Sequence, residues 1–485
     1  MNIYEKLKAL GFDTVPKEFY EQNVDVWASW YEGKVNKFHS YRVYNGTKFV
    51  RQERYSLGMA KKVCEDWANL LFNEKVKITL EGKAEQEFFD ETCRANNFEV
   101  KCNEMQEKKA AFGTGAYVAT VTDVAIDEDS GEVTGNGQEL KIDYVVGSNV
   151  IPLSWDNGKI KECAFAIEKT IKGDKYVYMQ VHHLNDSGTY DIENVLYKNN
   201  NESLSDIELQ DVPGFENIPA TVHTGSNKRQ FVIDRLNIAN NMSKYGDNPL
   251  GVSVFANAID QLKAIDIVYD CYVNEFVLGK KRVMVKPSAM KTIEGEPAFD
   301  TNDVAFYIMP EDSKDDSMIH EINMSLRTGE FNIGIQDALN MLSAKCGFGE
   351  NHYKFNQGSI ATATQIVSEN STLFRTIKKH EIILNDVLTE LVRIILRLGN
   401  TYLGKNLDED VEVSVDFDDS IIEDKATEYQ RDCRNLEMGI ISRVEFRMKW
   451  LNEDEETAKE AISEIQQQMV DQEALVNDNP GADEM

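Results

Sequence analysis

The sequence predicts an α+β fold, with helices and an antiparallel sheet largely segregated along the chain. Two observations predict it. Long stretches carry apolar residues at three- and four-residue steps, and strictly alternating stretches gather between about residues 117 and 197, separated by turn signals such as Asp156-Asn157-Gly158 and Asn185-Asp186-Ser187-Gly188. At 485 residues, two to four structural units are expected, and 42% apolar with 9% aromatic residues supports folded structure outside the ends.

From the start, Tyr4–Trp30 reads as helical and Tyr41–Gln52 as extended. Ser56–Asn73 reads as a helix whose apolar face is Leu57, Ala60, Cys64, Trp67, Ala68 and Leu71, and Val76–Leu80 as a strand. Ala84–Ala111 is helical again. Strands are expected at Tyr117–Val124, Lys141–Val146, Ala164–Thr170, Tyr176–His182 and Thr189–Tyr197. Gly251–Leu278 returns to helix with a stripe from Phe255 to Phe276. Short strands at Val283–Lys286, Ala298–Phe299 and Val304–Met309 make a small α/β insert before the next helix, Ser325–Cys346. In Thr362–Leu398, the residues Leu373, Ile377, His380, Leu384, Val387, Leu391, Ile394 and Leu398 form a heptad seam expected to pack on another helix. Val411–Phe417 alternates, Lys425–Met438 and Val444–Met469 read as helices, and 471–485 as a disordered acidic tail.

Charge limits the function classes. The formal net charge is −31, from 83 acids against 52 bases, which argues against adhesive wrapping of nucleic acid, because tight phosphate binding needs clustered Lys and Arg. Residues 401–485 hold 24 acids and 8 bases, about half the excess. The polar segment Phe348–Ile360 and its flanks run the other way. Between Lys345 and His380, Lys345, Lys354, Arg375, Lys378 and Lys379 face only Glu350 and Glu369. Something anionic, or the acids of a partner, is expected to pass nearby. The seven cysteines are scattered, odd in number and lack C-x-x-C, so they read as reduced, and no run approaches the roughly 18 apolar residues a membrane span needs.

Signals for chemistry fail one by one. Gly113-Thr114-Gly115 lacks the third glycine of a phosphate loop, which falls on Val118, and sits between helix and strand in the wrong order, so it reads as a turn. His380-Glu381 begins like a zinc-protease motif, but Leu384 replaces the second histidine. His182 and His183 point to opposite faces of one strand and cannot chelate together. Asp416, Asp418 and Asp419 are weak candidates for a divalent cation, against a solvated strand end leading into a helix cap. Lys280-Lys281-Arg282, beside Lys286, reads as solvated surface whose meaning depends on neighbours in an assembly.

The order of helix, small insert, helix, polar loop, long helix and acidic C-terminal helices resembles the portal proteins of tailed bacteriophages, especially siphophages of Gram-positive hosts. The segments that carry the likeness are Ser56–Glu74, Gly358–Ile366 and Gly439–Arg443. The resemblance implies an α/β wing (1–245, with a strand return at 401–423), a two-helix stem (246–278 and 325–346) and a small α/β clip (279–324). It also implies a tunnel loop (347–361), a long kinked wing helix (362–400) and a helical crown (424–470).

It further implies a homo-oligomeric ring of about twelve copies at one capsid vertex of the virion, assembled in the host cytoplasm, with no enzymatic activity and no cofactor. Double-stranded DNA would pass through the ring, touched by Asn351, His352, Tyr353, Lys354, Asn356 and Gln357 of the tunnel loop. The implied partners are the large terminase, scaffolding and major capsid proteins, and head-completion or adaptor proteins docking near Lys280, Lys281, Arg282 and Lys286. Two other readings stand beside it: a metal-dependent enzyme using Asp416, Asp418 and Asp419, and an acidic monomeric adaptor that recruits a partner helix through the heptad seam.

Overall fold

Two antiparallel sheets and the helices laid on them organise the first of two compact units, Met1–Phe417; the second is Asp418–Met485. The computed structural model describes residues 2–127, 131–200, 203–243, 247–289, 292–293, 296–297, 306–308, 318–355, 363–417, 425–451 and 453–477.

Helix α1 (Ile3–Ala9) starts at Asn2, which forms a capping box with Glu5. Next come α2 (Lys17–Phe19), a π turn (Tyr20–Val24), α3 (Asp25–Tyr31) and α4 (Asn36–His39). A hairpin follows, β1 (Ser40–Tyr44) with β2 (Phe49–Glu53), and then α5 (Met59–Leu71) and β3 (Lys77–Leu80). The helix expected over Ala84–Ala111 is two, α6 (Lys83–Ala95) and α7 (Phe98–Phe112). Asn97 divides them by taking a left-handed φ of 48°, a conformation asparagine tolerates.

Strands β4 (Thr114–Val121), β5 (Leu140–Val146), β6 (Val150–Asp156), β7 (Lys159–Ile171), β8 (Asp174–Leu184), β9 (Tyr190–Asn200), β10 (Ser203–Ile207), β11 (Thr221–His223) and β12 (Phe231–Arg235) build the sheets. One runs β10-β9-β8-β7-β6 with β11 also on β9; the other is β12-β4-β5. The sequence pattern missed β6 because Val150, Ile151, Pro152 and Leu153 are all buried, so no alternation marks the strand. On β8, His182 is buried against Phe165 and Phe231, whereas His183 bonds Glu193 at 3.0 Å, as alternation requires.

The expected helix over Gly251–Leu278 begins only at α8 (Ile259–Leu278). The reason is a close approach: the Gly251 amide donates to Thr114 Oγ1 (2.8 Å) and the Val254 amide to the Ala110 carbonyl (2.9 Å), which holds 251–254 against the α7–β4 turn. A Cβ on Gly113, whose φ is +78°, would lie 2.6 Å from the Val252 backbone. Beyond α8, β13 (Arg282–Val285) runs parallel to β16 (Phe306–Ile308) and antiparallel to β17 (Ile319–Ile322), and β14 (Thr292–Ile293) pairs with β15 (Glu296–Pro297). Ala298–Phe299 lies outside the described residues.

Helix α9 (Thr328–Lys345) packs on α8, and α10 (Ala363–Leu403) follows. The α10 stripe does not seat a single partner helix. It lies mainly on β12 and β4 and touches α5 and α6 at its flanks, because the buried band is wider than a two-position seam and includes Leu388, Val392 and Ile395. Strand β18 (Val413–Asp416) then pairs with β3.

Within this core, Lys109 of α7 and Asp234 of β12 form an ion pair at 3.0 Å with side chains 1% and 0% exposed. Gln106 Nε2 donates to the same carboxylate (2.8 Å) and to the Tyr117 hydroxyl (2.9 Å). Such a pair survives burial only because further hydrogen bonds satisfy it.

The second unit comprises α11 (Lys425–Glu437), α12 (Arg443–Leu451) and α13 (Glu455–Asn477). The expected Val444–Met469 helix breaks where Asp454 caps α13, accepting from the Thr457 amide at 2.8 Å. Helix α13 continues through Asn477, into the segment expected to be a disordered tail; residues 478–485 lie outside the described residues.

Candidate functional site

The loop between α9 and α10 is rooted on α5 by aromatic stacking and a single carboxylate. Gly347 turns the chain with φ +87°, where a Cβ would sit 2.9 Å from Thr376 and 3.3 Å from Trp67. Phe348 is buried beside Trp67 (centroids 5.0 Å apart) and stacks on His352 (4.3 Å, planes within 10°). Trp67 Nε1 donates to the Cys346 carbonyl (2.9 Å), and its ring meets His380 edge-on at 5.0 Å. Asn351 adopts a left-handed φ of 63° and turns the chain again. On the other side, Gln336 of α9 brackets the loop: its Nε2 donates to the Tyr353 carbonyl, and its Oε1 accepts from the Phe355 amide, both at 2.8 Å.

Tyr353 and Asp66 form the electrostatic centre of this root. The buried Tyr353 hydroxyl donates to Asp66 (2.9 Å), Lys62 reaches the other oxygen (2.5 Å), and His352 Nε2 stands 3.9 Å away. Burial alone would raise the Asp66 carboxyl; His352, Lys62 and Tyr353 outweigh it and hold it below the usual carboxylate range. Burial, reinforced by Asp66, pushes the Tyr353 phenol far up, so it remains a donor. His380 is lowered to about 3 by burial and by Lys109 and Lys379, so its ring is neutral and its Nδ1 accepts from the Asn237 amide (3.0 Å).

Of the loop residues singled out in the sequence, Tyr353 is buried, with its ring packed edge-on against Phe348. His352 is partly covered by its stack, and Lys354 is exposed. Asn356 and Gln357 lie outside the described residues. Among the surrounding bases, Lys345 donates to the Asn257 carbonyl (3.1 Å) and Lys378 pairs with Glu381 (2.9 Å), while Arg375 and Lys379 are exposed. Asp66 was not legible as a loop partner. Its only sequence signal is its place on the polar flank of the α5 stripe, next to Trp67.

The other candidates separate spatially. Lys281 pairs with Glu321 across the β13–β17 ladder, Arg282 lies over the Tyr307 ring at 6.0 Å, and Lys280 is exposed. The Lys286 amide donates to the Met318 carbonyl (2.9 Å). Asp416 sits opposite Lys77 on β18, whereas Asp418 and Asp419 lie outside the described residues. Among the described residues, no three His, Cys, Asp or Glu side chains come together as a metal site, and no helix is long and apolar enough to cross a membrane.

A search of curated protein sequences found no match. Among solved structures, the chain is similar to one from the neck of the native gene transfer agent (GTA) particle computed with C12 symmetry, and to one from the virion of the native gene transfer agent particle. In both cases the TM-score is 0.40 at 11% identity, over 80% of this chain and 88% of the other. Residues 19–472 match the family described as phage portal protein, SPP1 Gp6-like. A match over nearly the whole length settles the family: this chain belongs to the SPP1 Gp6-like phage portal proteins.

Proposed function

We propose that the chain forms a ring of about twelve copies at one capsid vertex, with each copy offering two different faces to its neighbours. The ring is the conduit for packaging and ejecting double-stranded DNA and the docking site for the terminase motor and head-completion proteins, in a phage of the siphophage type of Gram-positive hosts. In this reading 1–245 with 401–423 is the wing, 246–278 and 325–346 the stem, 279–324 the clip and 347–361 the tunnel loop. Residues 362–400 are the long wing helix and 424–470 the crown.

The observation that carries the proposal is the rooted loop. Its base is fixed by Trp67, Asp66 and Gln336 through Phe355, with Lys354 exposed. A bore must admit a polyanion without holding it, since each lasting Lys or Arg contact with phosphate adds counterion-release affinity. A chain of net charge −31 with the exposed Lys354 at the loop root suits that task.

Negative-stain microscopy of the purified chain tests the reading: rings with an axial hole are expected, and solitary particles or rings with the loop outside would overturn it. Lys354→Ala is expected to leave ring formation and melting unchanged, within about 0.5 kcal/mol, while reducing DNA packaged into heads. Lys280→Glu is expected to weaken capture of the motor or the adaptor in a pull-down, and unchanged capture would remove the clip assignment.

A further inference from the structure

Hairpin β1–β2 exposes chemistry that a lone subunit has no use for. Residues Arg42–Phe49 are exposed throughout, with Tyr44 at 57% and Phe49 at 69%, their rings 5.4 Å apart. On the same face, Arg42 lies directly across the ladder from Arg51. Opposed like charges destabilise a strand pair, and an isolated two-stranded ribbon is marginal in water. Arg42, Lys48, Arg51 and Arg54 against Glu53 make this stretch basic in a strongly acidic chain.

The root of the ribbon is nonetheless firmly built. Asp266 of α8, almost fully buried, accepts from His39 Nε2 (2.9 Å), Ser56 Oγ (2.9 Å) and the Leu57 amide (2.8 Å). Asp270 accepts from the Tyr55 amide (3.0 Å), and the Arg54 amide closes onto the His39 carbonyl (2.7 Å). The ribbon is therefore a stiffly mounted arm with an exposed basic and aromatic face, on which Arg51 reaches only Glu53 of its own strand, at 3.7 Å.

The complementary feature lies on another small ribbon, β3–β18. One rung beyond the Leu80–Val413 pair, the Glu81 amide donates to the Glu412 carbonyl (3.2 Å), which sets these exposed glutamates across from each other, with exposed Asp410 close by in sequence. One ribbon opposes two arginines, with Glu53 offsetting one of them, and the other opposes two glutamates, so each supplies countercharge for the other.

We propose that the β1–β2 arm of one copy docks on the β3–β18 ribbon of the next copy, with Arg42 and Arg51 against Glu81 and Glu412. This rests on the ring reading above and supplies the two unlike faces that a closed cyclic contact needs.

The test is the ring fraction of the purified full chain, measured by light scattering and negative stain, with circular dichroism confirming the fold of each variant. Arg42→Glu/Arg51→Glu and Glu81→Arg/Glu412→Arg are each expected to lower the ring fraction about tenfold or more, and the four substitutions together to restore it. Tyr44→Ser/Phe49→Ser, fully on the surface, is expected to lower it as well. Rings that persist in the arginine variant, or folded quadruple variants without rescue, would overturn the proposal. So would a variant that keeps its rings but loses binding to a short DNA duplex, since the arm would then serve DNA. A wild-type chain that remains a single 55.1 kDa particle would instead sink the ring reading itself, and the arm proposal with it.

Discussion

The Lys109–Asp234 pair and the Asp66 carboxylate meet the same requirement at different depths. The first is wholly dry, fixed between α7 and β12, and shares its hydrogen bonds with Gln106. The second is half-buried, and three side chains from α5 and the loop converge on it. Removing one member of the dry pair strands a charge without water, whereas removing Asp66 opens a site that solvent can enter. The core pair thus bears on the stability of the first unit, and the Asp66 cluster on the position of one loop.

The sharpest way to break this contrast is Asp234→Ala. It leaves Lys109 charged and buried, and a loss of about 3–5 kcal/mol is expected in urea or thermal unfolding. A loss no larger than that of a surface substitution would show that the core is wetter than described.

Acid comes next. His182 and His380 are each lowered from 6.5 to about 3, chiefly by burial, so as pH falls the unfolded chain takes up protons first. Their contribution is complete above 6.5 and declines between 6.5 and about 3, by about 1.4 kcal/mol per pH unit for each histidine. Asp66, also lowered, keeps its contribution until the pH falls through and below the ordinary carboxylate range. Melting temperatures across pH 7 to 4 should therefore drop before the loop root loses its carboxylate contacts.

The smallest effect is local. Asp66→Ala leaves the buried Tyr353 hydroxyl without its acceptor and should cost roughly 1–3 kcal/mol. Amide exchange at Phe348–Phe355 should speed up while the amides of β4 and β12 stay protected. Equal acceleration in both places would erase the distinction between the two regions.

Much of this architecture is legible in the chain because periodicity reports one-sided burial. The α5 stripe falls where the spacing of apolar residues puts it, β7 and β8 contain the stretches expected at Ala164–Thr170 and Tyr176–His182, and β9 contains all but the first residue of Thr189–Tyr197. Periodicity fails where burial is two-sided, as in β6, or where backbone contacts override it, as in 251–254 held by Thr114 and Ala110. The loop was visible as a polar, basic interruption between helices. Its root was not, because Trp67 and Cys346 are 279 positions apart and nothing local marks a contact across that distance. Tyr353 shows the same limit: a tyrosine in a polar loop reads as exposed until the partner that buries it is known.

The pairing of β3 with β18 also bears on how the chain is made. Leu80 meets Val413 only after about 330 further residues have been added, a delay of tens of seconds at roughly 5–20 residues per second. Until then the nascent polypeptide carries an unsatisfied strand edge beside α6, open to mispairing with its neighbours on the same message. A stop codon anywhere before Val413 would therefore release a product that cannot close this ribbon, and such fragments are expected to be found in the insoluble fraction of the translating cell.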